Sequence, residues 1–234
     1  MKSLMWAIIF GVVLVGGSAT AFLTMGHNNA PKNPENTDQL LNTLLQPIVH
    51  NASALGTSKT NVTLIEFGDY QCQYCARFHK ETKDLIVNNY VKTGMINFMF
   101  KDFVINDRPS DKLSTLAAIG SYCAAEQGKY WQYYDEVYRN SKGENIDWVS
   151  KNSLTQFAVY AGVKDVNKFS ACLDCKKYEN LVVINDNLAR SIGLTSTPTF
   201  ILIAEGKMPL KIEGAQPYSV FESAINQVLT QVPT

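Results

Sequence analysis

Between residues 62 and 91 the hydrophobic pattern changes period once, and a pair of cysteines sits at the change. Val62-Thr63-Leu64-Ile65-Glu66-Phe67 is a β-rich run with little polar face, the pattern of a central strand covered on both sides. From residue 76 to 91, Phe78, Leu85, Ile86 and Tyr90 follow a helical period. Cys72-Gln73-Tyr74-Cys75 therefore falls where a strand turns into a helix. At a helix N-terminus the backbone N–H groups and the macrodipole favour negative charge, so a thiolate on the first cysteine is stabilised. Cys72 is expected to be the more exposed nucleophile. Cys75, about one turn on and facing inward, is placed to resolve a mixed disulfide.

Zinc sites use the same spacing. Further ligands would have to come from His79 or the distant Cys172 and Cys175, with no second knuckle nearby, so a redox pair and no metal is the expectation. Glu66 lies six residues before Cys72 on the covered strand, with no basic neighbour in sequence. Burial would raise its pKa and suit it to carry the proton that Cys75 gains or loses. Thr197-Pro198-Thr199 stands immediately before a second apolar run. An X-Pro bond is the usual place for a cis peptide, and a proline opening a strand has no N–H to donate.

The rest of the chain reads as β over residues 95–103, helical over 110–193, then β again. Ser110 is the expected N-cap of an Ala-rich helix over 113–127, followed by helical pieces at 153–161, 166–172 and 176–189. The aromatic positions Trp131, Tyr134 and Tyr138 read as core packing, and His50 and His79, without a paired carboxylate or cysteine, fall outside the site. Short β-runs at 199–203 and 209–212 flank Glu205-Gly206-Lys207, a hairpin-like turn, and residues 218–229 form a closing amphipathic helix. The order is βαβ, a helical insertion, then ββα, which matches an α/β thioredoxin fold with a helical subdomain inserted in its middle.

Residues 3–31 contain no Asp, Glu, Lys or Arg, and residues 4–25 are almost wholly apolar or small. About 20 such residues at about 1.5 Å each cover a hydrocarbon core of about 30 Å, so residues 3–25 are long enough to span a bilayer with Lys2 on the cytoplasmic side. Residues 4–17 also have the length of a signal-peptide core, and Ala19-Thr20-Ala21 resembles a cleavage site; Phe22, Leu23 and Met25 continue the apolar run and favour an uncleaved anchor. Either reading exports the remainder, where five cysteines tend toward disulfides or redox centres. The sequons at Asn51 and Asn61 are compatible with export. The expected division is an anchor or signal over 1–26, a polar tether and short helix around Leu40, Leu41, Leu44, Leu45 and Ile48 over 27–53, and a domain over 54–234 with its insertion at about 106–193. Lys plus Arg and Asp plus Glu both total 21, with no block of like charge, which argues against nucleic acid as a partner.

The segment from Val62 through Asp69-Tyr70-Gln71-Cys72-Gln73-Tyr74-Cys75-Ala76-Arg77-Phe78 resembles the active-site segment of DsbA-like thioredoxin-family proteins. Glu126-Gln127-Gly128-Lys129-Tyr130-Trp131 resembles part of that family's helical insertion, Thr197-Pro198-Thr199-Phe200 its cis-proline loop, and Glu213-Gly214-Ala215-Gln216-Pro217-Tyr218 the lead into its last helix. The resemblance implies a thiol-disulfide oxidoreductase with no cofactor beyond a redox-active Cys72–Cys75 disulfide. Cys72 would be the nucleophile, Cys75 the resolving thiol, Glu66 the buried acid and Pro198 the cis-proline. Thr197, Gln73 and Tyr74 would meet an extended substrate. It implies exported proteins or peptides as substrates, reoxidation by a membrane partner of the DsbB or VKOR type, and a monomer. It also implies a structural disulfide from Cys123 to Cys172, with Cys175 the alternative partner. Strongly oxidising members carry Pro-His between the cysteines; Gln73-Tyr74 lacks the imidazolium, so a weaker drive toward oxidation is expected. Isomerase or reductase activity is the rival role, and a non-catalytic membrane-tethered binding module with structural or metal-binding cysteine pairs the rival class.

Overall fold

The computed structural model describes residues 23–24, 34–46, 54–57, 60–144 and 146–230, and in it five strands form one mixed sheet. They are β1 Leu23–Thr24, β2 Val62–Gly68, β3 Asn97–Asp102, β4 Thr199–Ala204 and β5 Leu210–Glu213, in the spatial order β1-β5-β4-β2-β3. β2 and β3 are parallel, with Glu66 opposite Phe100, and β4 is antiparallel to β2, with Phe200 opposite Glu66. A parallel pair needs a crossover. The segment after Cys72 supplies it as α2 Gln73–Phe78, a π-helical turn His79–Lys83, α3 Asp84–Ile86 and a second π-helical turn Val87–Val91.

All seven residues of β2 are buried, so its alternation sorts side chains between two cores. Val62 and Leu64 face one, with Phe98, Phe100, Phe200 and Phe221. Ile65 and Phe67 face the other, with Met99, Ile201, Ile203 and Leu44. Burying a side chain of this size stabilises the fold by about 1.5–3 kcal/mol. Within the first core Phe78 lies 4.5 Å from Phe200 and 5.4 Å from Phe221, centroid to centroid. The second is covered by α1 Pro34–Leu45, whose Leu44 is 1% exposed, and by the later helix α8 Glu179–Ser191. Lys101 also points to this side, and its Nζ donates to the carbonyl of Gln46 at 3.1 Å, just past the end of α1 where a cation is favoured. Burial pulls its pKa down to about 8.

The insertion holds α4 Leu113–Ala125, α5 Tyr130–Arg139, α6 Lys151–Tyr160, α7 Val166–Asp174 and α8, and α9 Tyr218–Leu229 closes the fold. Cys123 of α4 and Cys172 of α7 are joined as a disulfide, Cα to Cα 5.9 Å, and Cys175 is free and exposed. At the same seam Glu126 accepts from Lys177 and Tyr178 at 2.7 and 2.8 Å and pairs with Lys168 at 3.1 Å.

Several local expectations change. Ser110 does not cap α4: Asp107 Oδ1 takes the Thr115 N–H at 3.1 Å, and the helix opens at Leu113 behind a left-handed Lys112. α8 begins at Glu179 rather than at residue 176, because Lys176 has φ +49° and breaks the chain away from α7. Leu85 is 44% exposed, whereas Lys83 and Val87 are buried. A π-turn accommodates an extra residue and rotates the helix face, so a simple helical period picks the wrong side. α1 begins at Pro34, inside the stretch expected to be tether. Leu23–Thr24, from the apolar N-terminal run, pairs antiparallel with Lys211 and Leu210. The rest of that run, Ile48 and His50 lie outside the described residues. Among the described residues no helix is long and apolar enough to cross a membrane.

Candidate active site

β2 ends at Gly68, and the three residues after it are fixed before the cysteines begin. Asp69 Oδ1 accepts the Gln71 N–H and Oδ2 the Asn106 N–H, each at 2.8 Å, while the Asp69 carbonyl accepts the Cys72 N–H at 3.0 Å. The Gln71 amide donates to Ser114 Oγ at 2.8 Å. Burial raises the Asp69 carboxyl to about 6 against these hydrogen bonds. Cys72 is then the extended residue that caps α2, and Cys75 lies in the first turn. The sequence predicts the more exposed sulfur at Cys72, yet both residues are buried, Cys72 at 2% and Cys75 at 0% exposure. The contrast is electrostatic. The Cys72 thiol is lowered, chiefly by the hydrogen bond from Cys75, against the effect of burial and with help from Thr197 and the N–H groups of Cys75 and Tyr74. The Cys75 thiol is pushed well up by burial, then by Cys72 and Glu66.

The chain returns to this point from 125 residues away, where the Thr197 carbonyl lies 3.4 Å from Cys72 Sγ. The Thr197–Pro198 bond is cis, and the Pro198 carbonyl accepts the Gly214 N–H at 2.8 Å. Gly214 has φ +77°, the left-handed region that favours glycine, so the turn after β5 can close onto the proline loop. Arg77 fastens the other side: it donates to the Ala215 carbonyl at 2.8 Å and lies over the Tyr74 ring at 5.2 Å. Between these loops runs an open groove of about 700 Å³ lined by Tyr74, Arg77, Glu81, Thr197, Gln216 and Tyr218. Tyr74 is exposed at its edge; Gln73 is exposed too but does not line the groove, and its N–H faces Glu144 Oε1 at 3.4 Å.

Glu66 is fully buried, and desolvation raises its carboxyl to about 8, against the Tyr134 hydrogen bond and the Lys83 charge. Tyr134 Oη donates to Oε2 at 2.7 Å; Oε1 has no hydrogen-bond partner among the described residues. A Cβ on Gly68 would meet Phe100 at 2.6 Å and Glu66 Oε1 at 3.1 Å, so a residue without a side chain leaves the acid its room.

The sequence offered no basic neighbour for Glu66; the fold supplies Lys83. The first π-turn brings Lys83 inward, its ammonium bonds to Asp135 and stands 5.6 Å from the centre of the Tyr134 ring. His79, set aside for want of a carboxylate, has one: Nε2 is 2.9 Å from Asp135 Oδ1, with the ring stacked on Tyr138 at 5.5 Å. Burial pushes Asp135 up, but His79 and Lys83 outweigh it and hold its carboxyl below the ordinary value. Tyr134 and Tyr138 are core residues as expected, yet they also touch the site, Tyr138 Oη donating to the Asp69 carbonyl at 3.3 Å. The structure thus gathers Cys72, Cys75, Glu66, Thr197 and Pro198, with Gln73 and Tyr74 at the rim. It adds Tyr134, Lys83 and Asp135, for which spacing carried no signal.

A family model described as thioredoxin matches residues 49–227. A protein of Bacillus cereus named probable disulfide bond formation protein D is 24% identical over 147 residues, 62% of this chain and 67% of its own length. Among solved structures, oxidised BdbD of Bacillus subtilis superposes with a TM-score of 0.69 at 21% identity, covering 79% of this chain and 96% of that one. Wolbachia pipientis alpha-DsbA1 does so with a TM-score of 0.65 at 24% identity, covering 81% and 96%. The matched residues take in the Cys-X-X-Cys at the strand-to-helix turn, the helical insertion between β3 and β4 and the cis-proline loop, and the chain belongs to the thioredoxin family with a DsbA-like fold.

Proposed function

We propose that this protein is an extracytoplasmic thiol-disulfide oxidoreductase that oxidises dithiols of exported proteins through Cys72 and Cys75. The observation that carries the reading is the pair itself: two free thiols one turn apart, one lowered and one raised, beside a buried acid. The name of the Bacillus cereus relative points the same way. In the oxidised enzyme a substrate thiolate attacks Cys72 Sγ, the Cys72–Cys75 bond breaks, and Cys75 leaves as a thiolate. Glu66, protonated below about pH 8, supplies the proton that Cys75 takes up. A second substrate thiolate then attacks the mixed disulfide and expels Cys72, whose thiolate this site favours. The substrate loses two electrons to the enzyme, and a membrane reoxidase of the DsbB or VKOR type removes them.

The extended substrate lies in the groove between Tyr74 and the Thr197 loop, and the enzyme works as a monomer. The N-terminal apolar run directs export. With Leu23–Thr24 joined to the sheet, residues 3–22 remain, long enough at about 1.5 Å each to span about 30 Å as an anchor. Carbonate extraction of membranes checks this point: retention of the full-length chain supports the anchor, and release of a shortened chain gives the cleaved form instead.

The Cys75→Ser variant tests the exchange. It leaves Cys72 able to attack and nothing to resolve, so mixed disulfides on Cys72 should accumulate in the producing cells. Their absence would discard the mechanism. Equilibration against glutathione and dithiothreitol fixes the direction, and a strongly reducing potential would assign a reductase in place of an oxidase.

A further inference from the structure

A second Cys-X-X-Cys segment, Cys172-Leu173-Asp174-Cys175, closes α7. Cys172 is bonded to Cys123, while Cys175 is free and exposed at the helix end. The Cys175 Sγ turns back along the last helical turn and donates to the Cys172 carbonyl at 3.4 Å. Residues three apart on a helix have Cβ atoms about 5–6 Å apart, and disulfides need about 3.5–4.5 Å, a gap that a helix end can close. Cys172 is thus bonded to Cys123 and has Cys175 one helical turn further on.

We infer that Cys123, Cys172 and Cys175 form an exchange triad, in which the disulfide at Cys172 passes between Cys123 and Cys175. The Cys175 thiolate attacks Cys172 Sγ, the Cys172–Cys175 bond forms, and the Cys123–Cys172 bond breaks. Cys123 leaves as a thiolate and takes the proton that Cys175 gave up. One disulfide exists before and after, so neither oxidant nor reductant is consumed. The leaving group suits its place: Cys123 is 1% exposed among apolar side chains, where a neutral thiol packs as a small hydrophobe. The seam also survives the swap, since Glu126 still ties the end of α4 to Lys168 of α7 and to Lys177 and Tyr178. Exchange needs the attacking sulfur as a thiolate, so its rate rises with pH.

This inference is independent of the Cys72–Cys75 assignment, and its test removes that pair. Full-length protein carrying Cys72→Ser and Cys75→Ser, with no added thiol, is held at about pH 7 and about pH 9, quenched in acid, alkylated in denaturant and digested with trypsin. Cys123 falls in peptide 113–129, and Cys172 and Cys175 together in peptide 169–176. Label should move from Cys175 to Cys123 as peptide 169–176 acquires an internal disulfide, at least tenfold faster at the higher pH. The rate should be independent of protein concentration, and adding Cys175→Ser should abolish labelling of Cys123. Label confined to Cys175 at both pH values overturns the triad. So does a rate proportional to protein concentration, or labelling of Cys123 that persists without Cys175.

Discussion

The two Cys-X-X-Cys segments have the same spacing and sit at opposite ends of helices. Cys72 caps the N-terminus of α2, where N–H groups point at the sulfur; Cys175 ends α7, where carbonyls do. The first pair faces a distant carbonyl, a buried acid and an open groove. The second has one member locked to α4 and the other in solvent. Spacing permits a disulfide in both; the helix N-terminus and the neighbours of the first favour a thiolate at Cys72.

The sharpest way to break this contrast is to exchange the fates of the two pairs. Cys72→Ser should reduce dithiol oxidation to the uncatalysed background while Cys175→Ser leaves it unchanged, measured as oxidation of a reduced model peptide. Activity retained in the first variant would mean that the α7 pair carries the chemistry. Next in size, Glu66→Gln should slow turnover about a hundredfold near neutral pH, because Cys75 loses its proton donor. The same change should stabilise the protein in alkali. Folded Glu66 keeps its proton to about pH 8 and unfolded Glu66 only to near 4.5, so wild-type stability is full below that window and declines as pH rises through it. Denaturant titrations should show the variant overtaking wild type across the window by roughly 3–5 kcal/mol.

Removing the Cys123–Cys172 bond, which closes a separation of 49 residues, should cost about 3–4 kcal/mol of stability and leave the alkylation rate of Cys72 intact. A fall in Cys72 reactivity would show that the two regions are coupled. The smallest effect is expected from Lys83→Met. The ammonium lowers Glu66, so its loss should move the alkaline limb of the rate profile upward by about one unit, while the fold, read by circular dichroism, stays the same.

Much of this molecule is visible in its sequence, for identifiable reasons. β2 shows as an unbroken apolar run because both its faces are covered, and Cys72–Cys75 shows because a change of period brackets it. The expectation that the Glu66 pKa is raised followed from one carboxylate in that run. What stayed hidden depends on phase and on distance along the chain. Lys83 lies in the helical stretch after Cys75, where only the π-turn brings it inward. Asp135 and His79 are 56 positions apart, and Tyr134 looks like any other core aromatic until Glu66 lies beneath it. The start of α4 was misread because Asp107, eight positions before Thr115, does the work that a serine nearer the helix would ordinarily do.

The contact between Cys72 and the Thr197 carbonyl bridges 125 positions, with the whole helical insertion between them. For a chain made from its N-terminus, that separation is also an interval in time. Cys72 and Cys75 emerge first, without the proline loop, the groove or the Lys83–Asp135 pair around them. During that interval they are ordinary cysteines. The reactive centre comes into existence only when the last strands dock, so a chain cut anywhere within the insertion should emerge with both cysteines and none of their selectivity.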